Sequence, residues 1–189
     1  DDRSTQISFS SMLRFPRVDA TRLVQVRALS GAFPYYGVIE TAPPDGVTAF
    51  RRGEGVLVEE NLLLQYGARV GEIVRIGEIE TKVVGALQNV PGENMMLASV
   101  APRVFLPDSL LAASGLVGSK SIARFRYYYR FDKAEERVEA MAEISKVKDE
   151  YRWRVNDVEE RKEDLGESLR NLYRFLNLAS FVALLLGAI

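Results

Sequence analysis

The last fifteen residues, Phe175 to Ile189, read FLNLASFVALLLGAI and carry no charge, whereas the stretch before them, Asn156 to Arg174, is densely charged. A helix lying on a soluble core keeps a polar stripe for water, and this run offers none. Nine of the fifteen are Leu, Ile, Val or Phe. Together they favour insertion into a bilayer by about 3–5 kcal/mol, before the cost of Asn177 and Ser180. Fifteen residues fall short of the roughly 20 that cross a bilayer. The run therefore reads as the start of a membrane helix continuing beyond Ile189, in preference to the buried C-terminal helix of a soluble protein.

The charged region leading into it also reads as helix. Leu165, Leu169, Leu172 and Leu176 are spaced four, three and four apart and make one apolar stripe. Glu163, Asp164, Glu167 and Arg170 fall on the other faces. If Gly166 is tolerated, an amphipathic stalk enters the membrane without a joint.

Composition removes much enzyme chemistry. There is no His and no Cys, which excludes Ser-His-Asp and Cys-His systems, zinc held by nitrogen or sulfur, and disulfides. Lys and Arg number 25 against 26 Asp and Glu, so no long-range field gathers nucleic acid. Asp1 without an initiator Met or signal pattern predicts that chain upstream has been removed.

Along the chain, Val24, Val26 and Ala28 alternate as a half-buried strand, 38–41 resumes as a short strand before Pro43 and Pro44, and 55–58 is another. A short helix over 59–66 stops at Gly67. Runs 73–76 and 79–84 join across Gly77 and Glu78 as a hairpin. A strand over 101–106 precedes a short helix capped by Asp108. The strand over 122–131 sets Phe125, Tyr127, Tyr129 and Phe131 on a face expected in the core, and Arg124, Arg126, Tyr128 and Arg130 on a wet one. Asp132 and Glu135 fit a capping box for a helix to about Lys148, and Tyr151 to Val155 alternates as a further strand. This order predicts an α+β fold: a split βαβ-type α/β lobe with a smaller β-rich lobe, about 38–107, inserted in it, ending in a long helix that enters the membrane. The divisions expected are an outer domain over 1–155, a stalk over 156–174 and the membrane helix from 175.

Few motifs carry chemistry. Gly115 to Lys120 approximates a phosphate loop, but the spacing between its glycines is too short and Ser119 precedes Lys120. A solvated turn explains it. The arginines beside tyrosines on 122–131 have the composition of a single-strand nucleic-acid platform, and the balanced charge argues for a polar strand face instead. Glu59-Glu60 and Glu159-Glu160 are adjacent, so neither pair converges on a shared site; both read as solvated charge. Phe33, Tyr35 and Tyr36, around Pro34 and Gly37, and Met95 with Met96 are the candidate lining of an apolar surface, because aromatics and methionine fit varied greasy shapes. Packing within the fold is the plainer use of the same residues.

Several of these stretches, taken in order, resemble the extracytoplasmic core domain of MacB/FtsX-type ABC transporter permeases, and among them the YbbP-like predicted permeases. They are Phe33-Pro34-Tyr35-Tyr36-Gly37 with 38–41, 56–62, 71–77 with 83–85, 104–107, and 175–178 leading to 183–187. The resemblance implies a multi-pass inner-membrane protein with this domain on the periplasmic side, no catalytic residues, no metal and no cofactor of its own. It implies a cytoplasmic ABC ATPase subunit and a second permease copy or paralogue as partners, and lipid or lipoprotein as cargo. The leucine stripe would then couple the outer domain to ATP-driven motion. One feature departs from this: Arg170 and Arg174 flank the span on the side that the positive-inside rule assigns to the cytoplasm.

The expected function is thus a non-catalytic permease domain that moves hydrophobic cargo. A scaffold that activates an extracytoplasmic esterase or hydrolase is the first alternative. A tethered hydrolase is the second, and the residues name no convergent nucleophile, base and oxyanion donor for it.

Overall fold

Ile7, Phe9, Leu13 and Phe15 alternate with Ser8, Ser10, Met12 and Arg14, a two-residue period that makes a strand with one greasy face. The computed structural model, which describes residues 2–91, 102–118, 122–157, 166, 169–178 and 180, shows that strand, β1 (Asp2–Phe15). It turns through Pro16–Val18 and Asp19, whose φ of 50° is left-handed, into β2 (Ala20–Ser30). The two pair antiparallel from Thr5↔Ser30 to Phe15↔Ala20.

The remaining strands of this first unit, Asp1–Asp132, are β3 (Glu40–Ala42), β4 (Val56–Glu59), β5 (Ile73–Ile76), β6 (Ile79–Asn89), β7 (Arg103–Pro107) and β8 (Arg124–Arg130). Its helices are α1 (Gly46–Arg51), α2 (Glu60–Gln65) and α3 (Asp108–Leu111). Pairing runs β2–β7 parallel, β7–β4 antiparallel, β4–β6 parallel, β6–β5 antiparallel and β5–β1 antiparallel, which closes a ring of six strands. β3 adds to the end of β6, and β8 adds to the first half of β1. The mixed sheet with its helices is the α+β class expected.

Phe9, Leu13, Phe15, Val24, Val26 and Leu106 belong to the ring's interior, and Leu62 and Leu63 of α2 pack into it. β4 and β7 are buried along their whole length, because a second cluster of Leu29, Ile39, Phe50, Leu57, Leu87, Val90 and Phe105 covers their outer face. A strand buried on both faces reads as an unbroken apolar run, as 56–58 and 104–106 do. Phe50 brings α1 onto this cluster, with its ring 6.5 Å from that of Phe105; burying such a side chain contributes about 1.5–3 kcal/mol.

The β5–β6 hairpin forms at Gly77 and Glu78 as expected. Gly77 has φ of 58°, and a methyl group there would meet the Ser114 carbonyl at 2.2 Å.

Other expectations are corrected. Phe125, Tyr127 and Tyr129 are about half exposed (49–52%), because β8 lies beside the ring and its aromatic face runs past the closed interior. On the opposite face Tyr128 donates to Gln6 Oε1 at 3.2 Å. Glu59 is not solvated. At 5% exposure it takes Arg103 Nε at 2.7 Å and Nη2 at 2.8 Å, with the Arg103 backbone N–H also donating to it.

The second unit, Lys133–Ile189, contains α4 (Ala134–Val147). Lys133 is its N-cap and no side chain caps it, so the box expected at Asp132 does not form. Tyr151 to Val155 is not a strand: Tyr151 and Trp153 donate backbone bonds to Val147 and Lys148 at the end of α4, and their rings stack at 5.2 Å. Arg137 and Asp157 form an ion pair within this unit. Residues 169–178 are helical. Among the described residues no helix is long and apolar enough to cross a membrane. Most of the expected span, 179 and 181–189, lies outside the described residues.

Removing one partner of a buried ion pair costs about 3–5 kcal/mol, since the other charge stays buried and unpaired. Glu59→Gln should therefore lower stability by about that much in urea unfolding, and Glu59→Leu combined with Arg103→Met should recover most of it. Equal losses in the single and double variants would refute the account.

Candidate functional site

The segment after β2 leaves the sheet at Gly31, and Pro34 and Gly37 keep it irregular as far as β3. Its aromatic residues divide into two uses. Phe33 is half-buried, 4.9 Å from the Tyr128 ring, and its carbonyl accepts from Arg51 Nη2 at 3.3 Å. Tyr35 accepts from Ser4 Oγ at 2.9 Å and lies 5.8 Å from the Arg130 guanidinium. These two hold the loop against β1 and β8.

Tyr36, by contrast, is 72% exposed and Val38 71%. They sit where the loop passes a groove of about 510 Å3 whose lining includes Pro34, Gly37, Val38, Ile39, Val47 and Arg51. Gly37, with φ of 75°, lets the chain come so close to Pro91 that a methyl group would meet its ring at 2.8 Å. Met95 and Met96 lie outside the described residues. Beside its apolar side chains the groove lining holds one cation, Arg51, the Glu40 carboxylate, Thr41 and Gln88.

Of the leucine stripe, Leu169, Leu172 and Leu176 are on the helix over 169–178 and are about half exposed; Leu165 lies outside the described residues.

Sequence reasoning did not find the charges gathered around β4, β7 and β2. Burial, and then the Arg103 and Arg126 guanidiniums, lower the Arg27 pKa to about 10, against the opposing pull of Tyr128 and Glu59. Arg27 also lies 5.9 Å from the Phe105 ring. The available signal was Glu59 closing a wholly apolar strand and Arg103 opening another. Among the described residues no three Asp or Glu side chains gather as a metal site.

No protein-family model matches the chain. Over 171 residues it is 25% identical to the uncharacterized ABC transporter permease YbbP of Escherichia coli (strain K12), a match that covers 89% of this chain and 20% of that protein. The chain is similar to an ABC transporter permease. The resemblance expected from the ordered stretches is thereby found, and the chain spans about a fifth of the permease it matches.

Solved structures with a similar backbone include the extracellular domain of the ABC-type transporter YknZ from Gram-positive bacteria, at a TM-score of 0.48 and 12% identity over 74% of this chain and 69% of that one. The periplasmic region of MacB from Actinobacillus actinomycetemcomitans also scores 0.48, at 12% identity over 79% and 66%. A domain of a putative permease protein from Porphyromonas gingivalis gives 0.48 and 18% over 76% and 68%.

The two uses of the loop separate on substitution. Phe33→Ala should lower stability by about 1–2 kcal/mol through lost burial and ring contact. Tyr36→Ser should stay within about 0.5 kcal/mol of the parent in urea unfolding. A Tyr36→Ser loss as large as that of Phe33→Ala would place Tyr36 in the packing.

Proposed function

We propose that this chain is the extracytoplasmic domain of an ABC transporter permease subunit that couples cytoplasmic ATP hydrolysis to extraction or export of hydrophobic cargo, a lipid or a lipoprotein. The observation that carries the reading is the similarity to the YbbP permease along 89% of the chain. The uncharged run from Phe175 supports it, since it has the composition of an entering membrane helix.

On this reading residues 1–155 stand outside the inner membrane of a multi-pass protein, on its periplasmic side. Residues 156–174 are the stalk and the span begins at 175. The α/β lobe with its β-rich insertion over about 38–107 is part of the same proposal. Cargo or partner meets the exposed side of the 33–38 loop at Tyr36, with Phe33 and Tyr35 beneath it, and Met95 and Met96 are further candidate contacts. Leu165, Leu169, Leu172 and Leu176 pack on a neighbouring membrane-entering helix and transmit movement. The permease works with a cytoplasmic ABC ATPase and a second permease copy or paralogue, and it performs no chemistry of its own.

The test is native mass spectrometry with lipid extraction on the full-length permease taken from membranes. The expected result is an ATPase subunit together with a specific lipid or lipoprotein, and Leu169→Gln with Leu172→Gln should retain the ATPase while losing ATP-dependent release of that cargo. An ATPase with an esterase or hydrolase and no lipid would replace cargo movement by activation of that enzyme. Absence of any ATPase would end the permease reading.

A further inference from the structure

Where β8, β1 and β2 lie side by side, the outer face of the sheet sets guanidiniums around a small hydroxyl. Ser8 of β1 pairs with Arg27 of β2 on one side and with Arg124 of β8 on the other. Residues paired directly opposite share a face, and two inter-strand spacings put the two arginine backbones about 10 Å apart. Arg126, the next residue of β8 on that face, pairs with Gln6. It lies near enough to Arg27 that its charge, after burial and Arg103, helps to hold the Arg27 pKa down to about 10. Among the described residues the carboxylate that bears on Arg27 is Glu59, and Glu59 is already engaged by the Arg103 fork. Four guanidiniums thus meet one carboxylate. Arg124 and Arg126 are exposed and enter no ion pair among the described residues.

A neutral donor is set among these charges. Tyr128 donates to Gln6 Oε1 at 3.2 Å, and Gln6 Nε2 donates to Ser8 Oγ at 2.9 Å. Gln6 is 1% exposed, beside the loop that Phe33 and Tyr35 hold against Tyr128 and Ser4, so its amide does not exchange partners with water. The polarity of the chain of bonds is therefore fixed. Ser8 Oγ accepts from Gln6, which leaves the Ser8 proton to be donated elsewhere, and no acceptor for it is found among the described residues. Ser8 is half-buried, between Arg27 and Arg124 in register.

We propose that this face binds a phosphate group, with Arg124, Arg126 and the Ser8 hydroxyl as its donors and Arg27 adding positive charge beside them. Donors from two strands suit a tetrahedral oxyanion that spreads up to two charges over several oxygens. A planar carboxylate is satisfied by one guanidinium, as Glu59 is by Arg103. A nucleotide does not fit, because its base finds no ring to stack on: Phe125, Tyr127 and Tyr129 are on the opposite face of β8, and Tyr128 lies against Phe33. The phosphate is either free or the headgroup of a lipid. Nothing in the site depends on the permease reading.

The experiment takes the full-length protein, delipidated in a maltoside detergent that carries no phosphate, and follows arginine modification by phenylglyoxal with peptide mass spectrometry. Inorganic phosphate should slow modification of Arg124 and Arg126 about tenfold and leave the exposed Arg69 unchanged, whereas acetate at equal ionic strength should protect neither. Ser8→Ala should raise the phosphate concentration needed by about tenfold, and Ser8→Thr should keep the parent value. Buried Arg103 staying unmodified in both variants reports an intact fold. Dihexanoyl phosphatidic acid, titrated below its micelle concentration, separates the two sources. Protection at about tenfold lower concentration than inorganic phosphate identifies a lipid headgroup, since buried methylenes then add to the phosphate contacts; equal or weaker protection identifies free phosphate. Protection that acetate matches, protection that Ser8→Ala leaves unchanged, or none from either phosphate would each overturn the proposal.

Discussion

Closure of the ring depends on two residues of β1. Leu13 and Arg14 pair with Ile76 and Arg75 of β5, and β1 meets β5 nowhere else. The seam holds because Leu13 and Ile76 are both fully buried, so the apolar face offsets the apposed arginines on the outside. Register is the controlling variable. A slip of one residue along β1 would turn Phe9, Leu13 and Phe15 to water and carry Arg14 inward. The long antiparallel pairing with β2, running from Thr5 to Phe15, prevents that slip. The first half of β1 is then left outside the ring, where its second edge takes β8.

Covering the ring on a second side creates the need for the Glu59–Arg103 pair. β4 and β7 end together under the outer cluster, where a charged side chain reaches no water and must find its counter-charge within the fold. Two hydrogen bonds in fork geometry plus one from the backbone satisfy the carboxylate. Arg27, nearby on β2, is partly buried as well, and burial first and then the Arg103 and Arg126 guanidiniums depress its pKa. Such a pair adds little net stability beyond an apolar substitute, and its cost appears when one half is lost.

Much of this was legible in the sequence where local chemistry decides. Gly77 and Glu78 mark the hairpin, Gly67 ends α2, and alternation identifies the core of β2. The interior-facing pattern of β1 was present as well, but its serines hid it. What could not be read was long-range. Nothing local distinguishes a strand inside the ring from one beside it, so the aromatic face of β8 read as core. A carboxylate after an apolar run reads as solvated until the strand carrying Arg103 is placed beside it. Tyr151 to Val155 has the period of a strand, yet its backbone bonds return to α4. In the candidate site, the aromatic cluster was visible and its division was not: which of Phe33, Tyr35 and Tyr36 faces β1 and β8 depends on a backbone path that spacing does not reveal.

On the proposed reading, that division bears on how an outer domain meets cargo beside the 34–51 groove. Phe33 and Tyr35 tie the loop down by a ring contact and a hydrogen bond, so Tyr36 and Val38 project from a fixed base. An apolar ligand meeting a fixed aromatic surface loses its own freedom but does not have to order the loop. The groove beside them is lined by apolar side chains together with Glu40, Thr41, Arg51 and Gln88, and a ligand lying in it stays partly in water. On the proposed reading, weak and fast-exchanging contact suits such a surface, since cargo held tightly would have to be released by further work.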